Sequence, residues 1–164
     1  MIRVPIQFTL NGQTQAEFAE SGATLLKLLR DKIGVTATKS GCDQGTCGAC
    51  TVLIDGRPQL SCLTLAERCG GKSIETLEGL SPDGTLHPLQ EAFVSAFATQ
   101  CGFCTAGMIM AGKALLDRNP KPTRDDVIDA ISGNICRCTG YEPIIQAILD
   151  AADKMRGQRK KKRA

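Results

Sequence analysis

Eight of the nine cysteines in this 164-residue chain fall into two sets of four, and each set ties together segments a free chain would leave apart. Cys42, Cys47, Cys50 and Cys62 read C-x4-C-x2-C-x11-C, whereas Cys101, Cys104, Cys136 and Cys138 read C-x2-C-x31-C-x-C. A chain of this length is one large domain or two small ones of roughly 80 residues, and small domains bury little apolar surface. Staples that draw four side chains to one core would help hold such halves. Cys69 is left over.

Disulfides are the other common use of so many cysteines, in small secreted chains. The N-terminal run Met-Ile-Arg-Val-Pro-Ile-Gln-Phe-Thr-Leu has no apolar signal core, twin arginine or small-residue cleavage site. No stretch approaches the ~18 apolar residues that would span a bilayer. The reading is therefore a cytoplasmic chain with no transmembrane segment, whose reduced thiols are available as ligands. The net charge of +3 comes from the end of the chain. Arg156, Arg159, Lys160, Lys161, Lys162 and Arg163 lie in its last nine residues, and without them 14 basic residues face 17 acidic ones. The body thus offers no basic face for nucleic acid. The tail, residues 157–164, has no interleaved aromatic or apolar residues and reads as solvated and disordered.

Val4, Ile6, Phe8 and Leu10 alternate at strand period, and Asn11-Gly12 then predicts a hairpin returning over Gln13 to Phe18. Thr24 caps a short helix carrying Leu25, Leu28, Leu29 and Ile33. Gly41 to Cys50 reads as a glycine-rich loop, and Thr51 to Ile54, Asp55-Gly56 and Leu60 to Leu65 as a second hairpin. Ile74, Leu77 and Leu80 close this half in extended form, so the first half is an α+β domain ending near residue 80. Beyond a Gly79–Gly84 linker the period becomes helical: Leu89, Phe93 and Phe97, then Met108, Ile109, Leu115 and Leu116. Asn119-Pro120-Lys121-Pro122 interrupts it, Thr123 and Asp126 resemble a capping box, and a last helix begins near Glu142. Four helices with no strand signal make the second half a helical bundle.

The first set has the C-x4-C-x2-C…C spacing of plant-type [2Fe–2S] sites. Four-thiolate zinc sites instead usually come as two short-spaced pairs. An iron–sulfur core also needs close backbone and N–H donors to offset the charge on sulfur, and Gly41, Gly45 and Gly48 stand beside the first three thiols. In the second set, Cys136 and Cys138 are one residue apart and cannot share a helix face, so they fit a loop between helices. Cys101 and Cys104 open the long apolar helix, whose first amides favour an anionic group. Two clusters with only thiolate ligands suggest a relay of single electrons.

Three runs carry a resemblance: Gly41-Cys42-Asp43-Gln44-Gly45-Thr46-Cys47-Gly48-Ala49-Cys50-Thr51-Val52, Gln100-Cys101-Gly102-Phe103-Cys104-Thr105-Ala106-Gly107-Met108 and Gly133-Asn134-Ile135-Cys136-Arg137-Cys138-Thr139-Gly140-Tyr141. In this order they closely resemble the small iron–sulfur subunit of the molybdenum hydroxylases, the family of xanthine dehydrogenase, aldehyde oxidoreductase and carbon monoxide dehydrogenase. The similarity covers about residues 3–155. Ala106 departs from the proline usual there, at a position that touches no ligand.

The resemblance implies an N-terminal ferredoxin-like β-grasp domain over 1–80 and a C-terminal four-helix bundle over 81–156, each holding one [2Fe–2S] cluster. It implies that Gln100 and Cys138 contact molybdopterin, of the cytosine dinucleotide form, in a large partner subunit, Cys138 while also ligating iron. It further implies a medium FAD-binding subunit or a cytochrome as acceptor, and no substrate catalysis on this chain. The rival reading is a free-standing two-cluster ferredoxin, which would have no use for Gln100 beside Cys101 or for the run Cys136 to Tyr141. Cys69 reads as a plain thiol, and His87 before Pro88 as a cap at a helix start.

Overall fold

The computed structural model describes residues 2–161, with side chains through Gln158. The first half is a five-stranded mixed sheet in the order β2-β1-β5-β3-β4. Strands β1 (Arg3–Leu10) and β2 (Gln13–Glu20) pair antiparallel about Asn11-Gly12. Both turn residues have positive φ, 51° and 82°, the backbone that a two-residue hairpin demands and Asn-Gly supplies. Ile6, Phe8 and Leu10 point inward, as their alternation predicts. Thr24 accepts from the Lys27 amide at 3.2 Å and starts α1 (Leu25–Lys27), which widens into a π-helical turn over Leu28–Ile33.

β3 (Thr51–Ile54) and β4 (Arg57–Leu60) form the second hairpin. The return strand starts at Arg57, not at Leu60 as expected, because Asp55 and Gly56 (φ 50° and 74°) close a two-residue turn that pairs Ile54 directly with Arg57. Pro58 is tolerated because β4 is an edge strand. β5 (Ser73–Glu75) runs parallel to β1, and Leu77–Leu80 coils into a 3-10 turn instead of extending the strand.

Helices α2 (Pro88–Ser95), α3 (Thr105–Arg118), α4 (Arg124–Ile131) and α5 (Glu142–Lys161) make up the rest. His87 does cap α2, its Nδ1 accepting from the Leu89 amide at 3.2 Å while Gln90 Oε1 accepts from the His87 amide. Thr123 and Asp126 form the expected capping box on α4. Phe97 departs from the helical pattern: α2 ends at Ser95, and the ring is 83% exposed on a residue with φ 52°. α5 stays helical through Lys161, where the composition suggested disorder from residue 157, and residues 162–164 lie outside the described ones. The helix extends because Glu142, Gln146, Ala147, Ala151 and Ala152 favour it and its apolar face is already docked.

Each half has its own core. Phe8, Leu25, Leu29, Val52 and Ile74 centre the first, and Leu89, Phe93, Met108, Ile144 and Ile148 the second. β3 joins them. Val52 and Ile54 face the first core, while Leu53 packs on Met110 and Ala114 of α3, so all four residues of the strand are buried. Among the described residues no helix is long and apolar enough to cross a membrane.

Candidate metal centres

The first cysteine loop leaves the π-helical turn through Gly34, whose φ of 83° ends it. Arg30 then pins the descending chain, donating to the carbonyls of Thr36 and Thr38 at 2.9 and 2.7 Å. From there the backbone crosses the thiols closely. A Cβ on Gly41 would lie 2.9 Å from Cys47 Sγ, and one on Gly45 (φ 81°) would lie 2.5 Å from Leu63. The Thr46 amide donates to Cys42 Sγ at 3.4 Å. The Thr46 hydroxyl first, and then the amides of Gln44, Thr46 and Cys47, bring the Cys42 thiol down to about 6. That loop therefore favours a thiolate before any metal arrives.

The four thiols of this set divide by depth. Cys42 and Cys47 are half-buried, and the Cys42 side chain helps raise the Cys47 thiol after burial, while Cys50 and Cys62 are buried against Leu26. Burial, and then the hydrogen bond to Cys50, push the Cys62 thiol up to about 11. The second set divides in the same way. Cys101 in the α2–α3 loop and Cys138 in the α4–α5 loop are exposed, with sulfurs 3.5 Å apart. Cys104, at the start of α3, pairs with buried Cys136. Burial leads in raising Cys104 to about 12. Burial is also the largest single influence on Cys136, but hydrogen bonds from the Thr139 hydroxyl and amide, the Cys138 amide and the Cys104 thiol together outweigh it and lower that thiol.

Two pairs per set is the arrangement a binuclear core requires, since each of its two irons takes two thiolates. Two thiolates about 2.3 Å from one tetrahedral ion are separated by about 3.8 Å, close to the Cys101–Cys138 separation. A single zinc ion would instead need all four thiols of a set at one centre. The donor sets and the glycine-lined backbone thus fit two [2Fe–2S] groups. Gln100 is exposed beside Cys101. Cys69 lies in the first core, fully buried, its thiol donating to the Leu65 carbonyl at 3.6 Å and apart from both sets.

The two sets interlock through contacts that the cysteine pattern does not show. The Ile135 amide donates to the Cys47 carbonyl at 2.9 Å, joining the loops that carry the two sets. Asn134, 5% exposed, donates to the Gly48 carbonyl at 2.9 Å across 86 residues of sequence. Tyr141 accepts from the Cys136 amide at 2.9 Å, fixing the second loop. In the sequence the one signal for Asn134 and Tyr141 is their place on either side of Cys136-Arg137-Cys138. Asn134→Ala removes a buried donor and is expected to cost about 1–3 kcal/mol, seen as a lower urea midpoint at unchanged slope.

Comparison with known proteins gives the same picture. A family model described as a 2Fe-2S iron-sulfur cluster binding domain matches residues 13–96, and one described as a [2Fe-2S] binding domain matches residues 76–149. The chain is 52% identical, over 149 residues, to the nicotine 6-hydroxylase small subunit of Paenarthrobacter nicotinovorans, covering 91% of this chain and 90% of that one. Quinoline 2-oxidoreductase from Pseudomonas putida 86 contains a chain that superposes with a TM-score of 0.91 at 49% identity, covering 94% of this chain and 97% of that one. Aldehyde oxidoreductase from Desulfovibrio desulfuricans ATCC 27774 superposes with a TM-score of 0.90 at 43% identity over 94% of this chain, but the match is 17% of that much longer chain.

Proposed function

This chain belongs to the iron–sulfur subunit family of the molybdenum hydroxylases, and from that premise we propose how its residues serve an oxidoreductase as an electron-transfer subunit. The first half, 1–80, is a β-grasp domain whose cluster is held by Cys42, Cys47, Cys50 and Cys62. The second, 81–156, is a helical bundle whose cluster is held by Cys101, Cys104, Cys136 and Cys138. Each cluster, when bound, supplies a site for one-electron oxidation and reduction. The chain's own groups hold and tune those sites: Thr46 and Thr139 donate to sulfur, while Leu26 and the helical core keep water from the inner pair of each set.

The observation that carries the partner reading is the outward pair Cys101 and Cys138, exposed together beside Gln100. Phe103 and Ile135, each 47% exposed, line the same recess as Cys101. Phe97 is held in a left-handed backbone that costs roughly 1–3 kcal/mol in a non-glycine residue. Apolar rings and thiols left open in this way fit a surface covered in the assembly. The occupant is a large subunit carrying molybdopterin, in the cytosine dinucleotide form, which Gln100 and Cys138 contact. The aldehyde oxidoreductase match, a fraction of one long chain, supports such a neighbour. The acceptor beyond the first set is FAD in a medium subunit or a cytochrome, and the assembly is cytoplasmic.

The loaded chain is expected to carry about four irons and about four labile sulfides, two clusters' worth. It should copurify with a large molybdenum-binding subunit. In that complex Gln100→Ala is expected to slow substrate-driven cluster reduction while iron content stays unchanged. A chain that remains a stable monomer, with no larger protein bound, would instead be a free two-cluster ferredoxin.

A further inference from the structure

The first half carries a recess that the electron-transfer reading does not use. It is an open-mouthed cavity of about 460 Å³ between the β3–β4 hairpin and the turn before β5. Arg57, Arg68 and Lys72 line it, with Ile54 and Cys69 also in its wall. Those last two belong to the buried first core, so they back the recess from behind and leave its polar side chains to meet a ligand.

Its charge is unbalanced. Asp55, the one carboxylate in the wall, is spoken for: it accepts from the Ser73 amide at 3.0 Å and from Lys72 Nζ at 2.9 Å. The Ser73 amide first, and then Lys72, hold its carboxyl below the usual range, so it stays ionised and bound to the wall. Among the described residues no carboxylate lies within ion-pair distance of Arg57 or Arg68. Two guanidinium groups with no ion-pair partner therefore line the recess, one on an edge strand and one on the Ala66–Cys69 turn, although Arg57 also adds to the field that holds Asp55 ionised. Guanidinium forks bind phosphate oxygens bidentately, and the volume lies in the range of small-molecule sites. Gln59 and Thr64 add hydrogen-bonding groups to the wall.

We propose that this recess binds an organic phosphate of nucleotide size, its phosphates held by Arg57 and Arg68 and its remaining part meeting the polar side chains of Gln59 and Thr64. No glycine-rich phosphate loop is involved; the recognition is by side-chain charge in a concave wall.

The test is calorimetric titration of the full, cluster-loaded chain at low ionic strength with ADP and with inorganic pyrophosphate as probes. ADP is expected to bind with Kd below about 1 mM, and Arg57→Gln with Arg68→Gln to weaken it at least about tenfold. Both side chains are exposed, and an unchanged visible spectrum would show the variant intact. Tighter binding of ADP than of pyrophosphate supports a ligand held by the polar wall as well as by the charge. Absence of heat with both probes, or binding undiminished by the double substitution, overturns the proposal. So does equal weakening by Lys27→Gln with Lys32→Gln, which lie outside the recess and would report only the overall charge.

Discussion

Cys101→Ser is expected to erase one of two EPR signals of the reduced protein and to lower its iron from about four to about two per chain. The sulfur lost is half of the outward pair, 3.5 Å from Cys138, and no other cysteine of the described chain lies in position to replace it. Cys42→Ser should erase the other signal and spare the first. Cys69→Ser should erase neither, because its sulfur is directed into the sheet core toward Leu65. The consequences for stability differ between the halves. Cys101 and Cys104 sit between α2 and α3, and Cys136 and Cys138 between α4 and α5, so the second set clamps two helix pairs. The Cys101 variant should therefore unfold its helical half at lower denaturant, as domains built around a metal do when it is lost. If Cys69→Ser abolished a signal, the division of the nine thiols would be wrong.

Gly107→Ala is expected to destabilise the chain by about 1–2 kcal/mol net, the reverse of its usual sign. Inside a helix, alanine is better than glycine by about 0.8–1 kcal/mol. On α3, however, the new Cβ would stand 2.3 Å from the Gly48 carbonyl oxygen and 3.0 Å from Asn134 Nδ2. Both neighbours belong to the junction of the two cysteine loops, and one is rigid backbone. Overfilling a packed site costs about 1–3 kcal/mol, and displacing the Gly48 carbonyl to make room would also strain its hydrogen bond from Asn134. Gly157→Ala on α5, where a Cβ would meet nothing within 4 Å, is the control and should be neutral or stabilising. Urea unfolding of the loaded variants measures both. A stabilised Gly107→Ala protein would mean that α3 does not press on the Gly48 carbonyl.

That junction bears on function as well as on folding. Gly48 itself, at φ 69°, would bring a Cβ within 2.3 Å of the Gly133 carbonyl, so the loops of the two sets meet backbone to backbone. Glycine at 48 and at 107 lets them approach; Asn134 and the Ile135 amide then lock them. Electrons cross protein more readily over short, rigid gaps than over loose ones, and small residues at this seam keep the two sites close.

Local chemistry in the sequence determined much of this protein. Asn11-Gly12 and Asp55-Gly56 admit positive φ at both turn positions, which selects two-residue hairpins without help from elsewhere. Thr24, His87-Pro88 and Thr123 with Asp126 mark helix starts, because a cap is satisfied within three residues of itself. The spacing of the cysteines likewise separates two sets and points to iron rather than zinc. Contacts between distant segments decided the rest. Which thiol faces which, and which pair is exposed, depends on how the α2–α3 loop meets the α4–α5 loop. β3 is buried on both faces only because α3 covers Leu53. Phe97 continues the apolar spacing of α2 yet lies outside it, since the chain turns back at Ala96 and the Ala98 amide closes on the Phe93 carbonyl at 2.9 Å. Asn134 is an ordinary loop residue until Gly48, 86 positions away, supplies its acceptor. Dihedral preferences and hydrophobic period act over a few residues, whereas burial and hydrogen-bond partners across the seam exist only once both halves have folded against each other.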